Sequence, residues 1–291
     1  MTPQHFSLIL LLMTMSMSAI ANDELDVQGH RGARAVLPEN TLPAFAYALE
    51  IGVDTLELDM GVSKDGVVVV YHDQEVNPAI CQTQAGGNVA KGLLIHELTL
   101  TQIKSFDCGA RINPRFPKQT PQPGTQIPTL DEVFAMAAKS SAENAPTVRF
   151  NIETKSKEDK PNAQPSPKEF VRAVLKVVDK YELRSRVTLQ SFDHRTLLEA
   201  KKQAPELELA ALFEDKPKDW VSATQAAKAD IVSPNFNDIS ASDVANIQAA
   251  GLKVIPWTAN SIADWEKLLK MKVDGIITDD PEPLLEFLGR R

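Results

Sequence analysis

Residues 129–155, with the sequence TLDEVFAMAAKSSAENAPTVRFNIETK, contain one helix–strand unit, and repetition of this unit decides the fold. Apolar residues in 129–140 recur at helical spacing, whereas 147–155 is typical of a strand. The same unit then repeats to the end of the chain. Predicted helices cover 167–182, 193–203, 217–228, 240–250 and 261–271, and the strands that follow them cover 186–191, 207–213, 230–234, 253–258 and 274–279.

The first half of the chain adds strands at 24–30, 55–60 and 67–71 and a helix at 40–51. Strands that alternate with helices form a parallel sheet, and about eight such units predict a closed (β/α)₈ barrel, the TIM barrel. An open doubly wound sheet is the alternative, but the early G-x-G-x-x-G motif expected of it is missing from the sequence. Residues 73–128 break the rhythm and predict a subdomain inserted after the strand that ends in His72.

Charge and composition exclude several classes of protein. The chain has 31 Lys and Arg against 39 Asp and Glu, a formal charge of −8, and 43% of its residues are hydrophobic. Proteins that grip a nucleic-acid backbone carry the opposite sign of charge. We therefore expect a globular α/β protein with a small-molecule substrate, without nucleic acid as a partner and without stable insertion into a membrane. The sequence contains no signal for the oligomeric state.

The N-terminus has the pattern of a secretory signal. Residues 6–13 are apolar but too few to span a bilayer, and Ala19-Ile20-Ala21 matches a signal-peptidase site. The first five residues lack Lys and Arg, which departs from the usual pattern, and a buried N-terminal helix is the alternative. We predict a cleaved signal at 1–21, a mature domain at 22–291, and a periplasmic or secreted protein.

The chain has two cysteines, Cys81 and Cys108, both in the predicted insertion. An even number of cysteines in an exported protein favours a disulfide. Two buried thiols are the alternative, and a zinc site is disfavoured because two cysteines without a nearby histidine make a poor tetrahedral set.

Acidic residues cluster where barrel enzymes carry their catalytic groups, at the carboxyl ends of strands. Glu57 and Asp59 are two residues apart, so their side chains leave the same face of a strand. Glu153 and Lys155 are likewise two residues apart in the strand 147–155, so both side chains leave one face of that strand. Converging carboxylates favour a hard divalent cation; the alternative is a buried ion network with Arg31 and Lys155.

Two histidines, His30 and His72, also follow predicted strands. A single histidine in such a place is usually structural, but a pair beside carboxylates is a candidate acid–base couple, because imidazole titrates near neutrality. His96 and His194 are interpreted as structural or surface residues.

Several short motifs occur in order along the chain. They are His30-Arg31-Gly32-Ala33, Pro38-Glu39-Asn40-Thr41, Gly52-Val53-Asp54, Glu57-Leu58-Asp59, Asp65-Gly66, His72-Asp73, Glu153-Thr154-Lys155, Gln190-Ser191-Phe192, Trp257-Thr258 and Gly275-Ile276-Ile277-Thr278-Asp279. With these motifs the chain resembles the glycerophosphodiester phosphodiesterase family over residues 26–285. The segment after His72 corresponds to the variable insertion of that family, and Arg34-Ala35 departs from the small residues often found there.

The resemblance implies an enzyme that hydrolyses glycerophosphodiesters to sn-glycerol 3-phosphate and an alcohol, by way of a cyclic phosphate. It implies one divalent cation, Mg²⁺ or Ca²⁺, on Glu57, Asp59 and Glu153. His30 is then expected as the base and His72 as the acid.

The remaining site residues are expected to bind the substrate. In the family that this chain resembles, residues matching Arg31 and Lys155 hold the oxygens of the phosphodiester. Phe192 and Trp257 are candidates for an apolar wall beside the glycerol moiety, although aromatic residues at strand ends more often belong to the core.

Two other functions are compatible with these residues. A lysophospholipase D or sphingomyelinase-D-like enzyme would use the same residues on lipids, but it would need an apolar ramp at the barrel mouth, and 109–128 is mostly polar. A non-catalytic periplasmic binding protein is less favoured, since binding alone does not require an acid–base pair.

Overall fold

The computed structural model describes residues 25–291, and the predicted signal at 1–21 lies outside the described residues. Eight parallel strands form the barrel, in the order β10-β9-β8-β7-β6-β2-β1-β11. Their bounds are β1 Asp26–Gly29, β2 Thr55–Val62, β6 Arg149–Thr154, β7 Val187–Ser191, β8 Glu208–Phe213, β9 Ile231–Pro234, β10 Lys253–Val254 and β11 Gly275–Thr278. The predicted barrel is confirmed.

Backbone hydrogen bonds bring the two ends of this sheet together. The Asp274 N–H donates to the carbonyl of Val254 (2.9 Å), and the Ile277 N–H donates to the carbonyl of Pro256 (3.1 Å). β10 itself covers two residues of the predicted strand 253–258, because Pro256 has no N–H for the ladder. The chain beyond β10 nevertheless lies beside β11 and closes the barrel.

Helices cover the outside of the barrel, close to the predicted positions, except α2 (Leu100–Ile103), which belongs to the insertion. Their bounds are α1 Leu42–Glu50, α2 Leu100–Ile103, α3 Leu130–Lys139, α4 Pro167–Lys180, α5 His194–Gln203, α6 Trp220–Ala226, α7 Ala241–Ala249, α8 Ile262–Met271 and α9 Pro281–Phe287. Side chains fix where several of them begin. Thr129 and Glu132 at α3, and Ser166 and Glu169 at α4, each form a capping box that satisfies free N–H groups of the first turn.

The main apolar core lies between the strands and this helical layer. Leu56 and Leu58 of β2 are fully buried in it, and Phe134 of α3 packs edge-on against Phe150 of β6, with ring centroids 4.8 Å apart. Because side chains alternate along a strand, the intervening Glu57 and its neighbours at every second position face the barrel interior. The interior of the barrel is therefore available for polar groups.

The segment between β2 and α3 departs from the barrel pattern. β3 (Val68–Val70) pairs antiparallel with the end of β2, so the predicted strand 67–71 is a hairpin arm and not a barrel strand. The inserted subdomain follows it, with β4 (Gln82–Thr83) pairing antiparallel with β5 (Phe106–Asp107) and a 3₁₀ turn at Ile95–Glu97. It has its own apolar cluster, which includes Val76, Ile80, Ile95, Ile103 and Ile127.

A disulfide joins Cys81 to Cys108 within the insertion, as predicted. The two cysteines are 27 residues apart in the sequence, and β4, α2 and β5 all lie between them. Within residues 25–291, no helix combines the length and the apolar character needed to cross a membrane.

Candidate active site

A cavity of about 240 Å³ lies at the carboxyl ends of the barrel strands. In TIM barrels this end collects the loops that carry function. The cavity is lined by His30, Arg31, Arg34, Glu57, His72, Arg115, Glu153, Lys155, Gln190, Phe192, Leu212, Trp257, Thr258 and Ile277. The structure thus brings both candidate histidines, two candidate carboxylates and both candidate cations to one place.

Three buried carboxylates cluster beside this cavity, and two of them, Glu57 and Glu153, line it. Asp59 of β2 is paired in register with Glu153 of β6, and Glu57 lies two residues earlier on the same face of β2. One oxygen from each of the three lies within 4.8 Å of the others. All three residues are at most 6% exposed. The parallel register of β2 and β6 therefore creates the cluster.

Burial and mutual repulsion set the electrostatics of this cluster. Burial, followed by the charges of Asp59 and Glu153, raises the pKa of Glu57. Burial also raises the pKa of Glu153, although Lys155 opposes this. For Asp59 burial works in the same direction, but Arg31, His72 and Lys155 outweigh it and hold its pKa well below the usual range. Concentrated negative charge of this kind is stabilised by a nearby cation.

The oxygen atoms of this cluster are suited to a divalent cation. Oδ1 of Asp59 is buried and has no hydrogen-bond partner, and it lies 3.6 Å from Nζ of Lys155. A carboxylate oxygen left without a donor beside two further acidic side chains is the donor set that Mg²⁺ and Ca²⁺ prefer. Glu57, Asp59 and Glu153 therefore fit such an ion.

The alternative ion network is present around the same carboxylates. Nε of Arg31 lies 3.1 Å from Oδ2 of Asp59, and Nζ of Lys155 lies 2.6 Å from Oε1 of Glu153. The carboxylates raise the pKa of both cations against the effect of burial, so both stay charged. The network and the candidate metal site share their residues and are not mutually exclusive.

His30 is held by a carboxylate on the neighbouring strand end. Its Nδ1 lies 2.6 Å from Oδ1 of Asp279, and its Nε2 lies 3.8 Å from Oε2 of Glu57. Burial, together with the charge of Arg34, lowers the pKa of His30 to about 4 although Asp279 opposes the shift. The imidazole is therefore neutral at pH 7, and the hydrogen bond to Asp279 leaves the lone pair of Nε2 directed at the cavity.

His72 has a similar partner in a more open position. Its Nδ1 lies 2.7 Å from Oδ1 of Asp73, and about a third of its side chain is exposed. Burial opposes ionisation of Asp73, but hydrogen bonds from His72 and Asn77 hold its pKa below the usual value. Each imidazole thus has one nitrogen oriented by a carboxylate, which is the arrangement that positions a proton-transfer group.

The loop after β1 presents Arg31 in an unusual backbone conformation. Arg31 has φ of 52°, its N–H donates to Oε2 of Glu57 (2.9 Å), and its Nη1 donates to Oε1 of Glu39 (2.6 Å). Gly32 follows with φ of 87°, and a Cβ there would lie 2.7 Å from the backbone of Ala44. Glycine is required at this position because the loop packs directly on α1.

Two aromatic rings form one wall of the cavity. Phe192 and Trp257 meet edge to face with centroids 5.5 Å apart, and the Trp257 indole N–H donates to the carbonyl of Ser233 (3.0 Å). Nζ of Lys155 lies 5.9 Å from the Phe192 ring centroid. The pair lies next to the ionic groups and gives the cavity one apolar wall.

Comparison with known proteins identifies the family. A model of the glycerophosphoryl diester phosphodiesterase family matches residues 30–283. The chain belongs to this family. Two relatives named glycerophosphodiester phosphodiesterase cover most of it. The protein from Caldanaerobacter subterraneus subsp. tengcongensis is 34% identical over 91% of this chain and 98% of its own length, and that from Bacillus subtilis strain 168 is 30% identical over 90% and 86%.

Solved structures of similar proteins support the fold. A protein from Silicibacter pomeroyi DSS-3, assigned to the glycerophosphoryl diester phosphodiesterases, superposes with a TM-score of 0.84 at 31% identity, covering 91% of this chain and 93% of its own. An Oleispira antarctica phosphodiesterase, solved in complex with the product sn-glycerol-3-phosphate, superposes with a TM-score of 0.75 at 24% identity over 92% and 99%.

In this member of the glycerophosphoryl diester phosphodiesterase family, three further residues contact the site, and their sequence pattern alone did not predict a role for them. Asp279 holds His30 and also accepts from Nε of Arg34 (2.5 Å). The Asn40 amide donates to Oδ2 of Asp59 (2.8 Å), and its own oxygen accepts from the Asp59 N–H (3.2 Å). Arg34, Asn40 and Asp279 lie within or beside the motifs that define the resemblance, which is the signal that could have found them.

A second cleft of about 670 Å³ adjoins the cavity. The two share five lining residues: His72, Glu153, Lys155, Phe192 and Trp257. The insertion contributes Glu75, Val76 and Lys91 to the cleft. The site therefore continues outward past His72 into a groove between the barrel and the insertion.

Proposed function

We propose that this protein hydrolyses glycerophosphodiesters to sn-glycerol 3-phosphate and an alcohol, with one divalent cation, Mg²⁺ or Ca²⁺. The observation that carries this proposal is the single cavity in which His30 and His72, each oriented by a carboxylate, adjoin the cluster of three acidic residues. The relatives named glycerophosphodiester phosphodiesterase support the same reaction.

His30 is proposed as the base of the first step. Its neutral imidazole takes the proton from the 2-hydroxyl of the glycerol moiety through Nε2, and that oxygen forms a bond to phosphorus. Asp279, through Nδ1, stabilises the positive charge that the imidazole acquires. A neutral, buried histidine with a carboxylate behind it is suited to this role.

His72 is proposed as the acid. As the bond from phosphorus to the alcohol oxygen breaks, the protonated imidazole donates its proton to that oxygen, and Asp73 holds the ring through Nδ1. Because His72 also lines the outer cleft, the alcohol leaves toward solvent. In the second step the roles reverse: His72 takes a proton from water, which attacks phosphorus, and His30 returns a proton to the 2-oxygen as the cyclic phosphate opens.

Arg31 and Lys155 are proposed to bind the oxygens of the phosphodiester. Both line the cavity and both are charged, so they offset the negative charge that develops on the phosphoryl group. When bound to Glu57, Asp59 and Glu153, a divalent cation supplies Lewis-acid stabilisation of that charge and lowers the pKa of the attacking hydroxyl.

The surface of the described residues favours a water-soluble substrate over a lipid. Among residues 25–291, the large hydrophobic side chains that are most exposed are Ile112, Phe192 and Ile262. Ile127 of the insertion is buried, and Phe116 lies under the Arg34 guanidinium, 4.8 Å from its ring centroid. A lysophospholipase D or sphingomyelinase-D-like enzyme would need a continuous apolar surface at this mouth.

Export to the periplasm or the medium is also proposed. The Cys81–Cys108 disulfide supports it, because disulfides persist in oxidising compartments. N-terminal sequencing of protein recovered from outside the cytoplasm should begin at Asn22. Recovery of the chain in the cytoplasm with Met1 retained would overturn this proposal.

The decisive experiment measures release of sn-glycerol 3-phosphate from glycerophosphocholine by purified residues 22–291. We expect release with added Mg²⁺ or Ca²⁺, and its loss in the presence of a chelator. His30→Ala and His72→Ala should each abolish it. His96→Ala is the matched control, since His96 contacts the carbonyl of Val62 and does not line the cavity. Turnover by either site variant at the control rate would overturn the proposed roles.

A further inference from the structure

Three side-chain amides cross the barrel interior between two carboxylates. At one end Gln28 donates to Oδ2 of Asp26 (2.8 Å), and at the other Gln190 donates to Oε1 of Glu57 (2.7 Å). Asn151 lies between them, and its Nδ2 donates both to Oε1 of Gln28 (2.8 Å) and to Oε1 of Gln190 (3.1 Å). All five residues are at most 9% exposed.

The orientation of each amide follows from the carboxylates of Asp26 and Glu57, which lie at the two ends of this row of hydrogen bonds. Nη2 of Arg149 lies 3.0 Å from Oδ2 of Asp26, and Glu57 must be deprotonated to bind a cation. An ionised carboxylate only accepts hydrogen bonds, so Gln28 and Gln190 then each direct N–H toward the carboxylate and oxygen toward Asn151. The amide of Asn151 then faces an oxygen on both sides and must donate in both directions. Its own oxygen is left over, and Oδ1 of Asn151 is indeed buried without a hydrogen-bond partner.

An unpartnered buried carbonyl destabilises a fold by about 1–3 kcal/mol. Buried polar groups in native proteins are otherwise almost always paired, so the exception at Asn151 requires a physical reason. The arrangement secures a donated hydrogen bond to Glu57 from an amide that cannot rotate, because rotation of Gln190 would place its oxygen against the carboxylate and its NH₂ against the NH₂ of Asn151.

The second oxygen of Glu57 is fixed in the same way by the backbone. Oε2 accepts from the N–H of Arg31 (2.9 Å). Each oxygen of a carboxylate has room for two acceptor contacts. With one donor on each oxygen, the carboxylate of Glu57 is held in one rotational position and still has acceptor capacity on the side that faces Asp59 and Glu153.

We propose that Gln190, oriented by Asn151, is a positioning residue that holds Glu57 ready to bind the divalent cation. The proposal rests on the metal-dependent function given above. Groups that orient a metal ligand contribute about 10- to 100-fold to metal affinity or activity. Gln190→Met keeps the length of the side chain but removes its donor, and Asn151→Asp replaces the central donor with an acceptor.

The test is calorimetric titration of the chelator-treated, full mature chain with Ca²⁺ and, separately, with Mg²⁺. We expect both variants to bind the ion about 10- to 100-fold more weakly than the wild type. Their kcat should recover at high ion concentration, whereas KM for glycerophosphocholine should change little. Gln164→Leu is the matched control, because Gln164 is equally buried and bonds to the Val62 N–H outside this chain of amides.

The outcomes separate this inference from the proposed function. A wild type that releases sn-glycerol 3-phosphate and binds the ion, with Gln190→Met binding it equally well, overturns the positioning role alone. A lower melting temperature with unchanged ion affinity has the same meaning, since it indicates a purely structural role. A wild type that binds neither ion overturns the metal-dependent function and the positioning role together. If Asn151→Asp fails to fold, Gln190→Met decides the question.

Discussion

Asp279→Asn tests whether the orientation of His30 determines the rate. The bond from Asp279 to Nδ1 of His30 is 2.6 Å long and involves a charged partner. Such a bond contributes about 1.5–3 kcal/mol, which corresponds to about 10- to 150-fold in rate. An amide at position 279 can also donate to Nδ1, which would move the proton to Nε2 and remove the base. In a Ser-His-Asp triad this inversion lowers kcat by about 10⁴-fold.

We therefore expect kcat/KM for glycerophosphocholine to fall between about 10²- and 10⁴-fold. The assay is release of sn-glycerol 3-phosphate at pH 7 with saturating Mg²⁺ or Ca²⁺. Asp73→Asn should have a smaller effect through His72, because Asp73 is 39% exposed and Asp279 only 4%. Charge interactions of exposed groups are weakened by solvent.

Asp279→Asn is expected to lower the melting temperature as well as kcat/KM. Asp279 also accepts from Nε of Arg34 (2.5 Å) and from Nδ2 of Asn260 (2.8 Å), so the single variant leaves a buried guanidinium short of its partner. The double variant Asp279→Asn/Arg34→Met removes that charge and should recover melting temperature without recovering activity. A double variant with wild-type kcat/KM would refute the reasoning, because the loss would then come from folding alone.

Three further predictions concern pH, redox state and substrate binding. Because burial lowers the pKa of His30 to about 4, kcat/KM at saturating Mg²⁺ or Ca²⁺ should stay level as the pH falls past 6.5 and decrease only toward pH 4. An acid limb at or above 6.5 that a higher ion concentration does not shift would contradict the assignment. The same depressed pKa means that the unfolded chain takes up a proton on this histidine before the folded chain does, so the contribution of His30 to the free energy of unfolding, measured by chemical denaturation against His30→Ala, should decrease as the pH falls from 6.5 to 4. Reduction of Cys81–Cys108 should lower stability by about 3 kcal/mol and the melting temperature by about 6–12 °C, and an unchanged melting curve would show that the insertion holds without it. Arg115 lines the cavity without an ion pair among the described residues, so Arg115→Gln should raise KM about two- to fivefold at constant kcat, compared with the exposed Arg172→Gln as control.

The carboxylate cluster could be predicted because it depends on the spacing of nearby residues and on the repeating strand–helix units. The two-residue spacing of Glu57 and Asp59 sets a common face, and the repeating units require β2 and β6 to end at the same edge of a barrel. The pairing partner of the strand at 67–71 could not be predicted from its own sequence. Its pattern is that of any strand, and only tertiary pairing distinguishes a hairpin arm antiparallel to β2 from a parallel barrel strand.

The hydrogen-bond partner of His30, the proposed base, could not be predicted because the two residues are distant in sequence. His30 and Asp279 are 249 residues apart, and they meet because barrel closure pairs β1 with β11. The amide chain through Asn151 likewise depends on which interior side chains share a layer, which requires the register of four strands. Sequence motifs located His30, Gln190 and Asp279 but did not assign their contacts.

The insertion supports the loop that carries His30 and Arg31. Arg31 has a left-handed backbone conformation that is unfavourable for a side chain of its size, so the loop after β1 needs support from outside the barrel. Gln119 of the insertion donates to the carbonyls of Arg34 (2.5 Å) and Leu37 (3.1 Å). Asn113 donates to Glu39, the carboxylate that holds the guanidinium of Arg31. The segment that also forms one side of the outer cleft therefore fixes the loop that carries His30 and Arg31, and changes in the insertion are expected to alter catalysis as well as substrate choice.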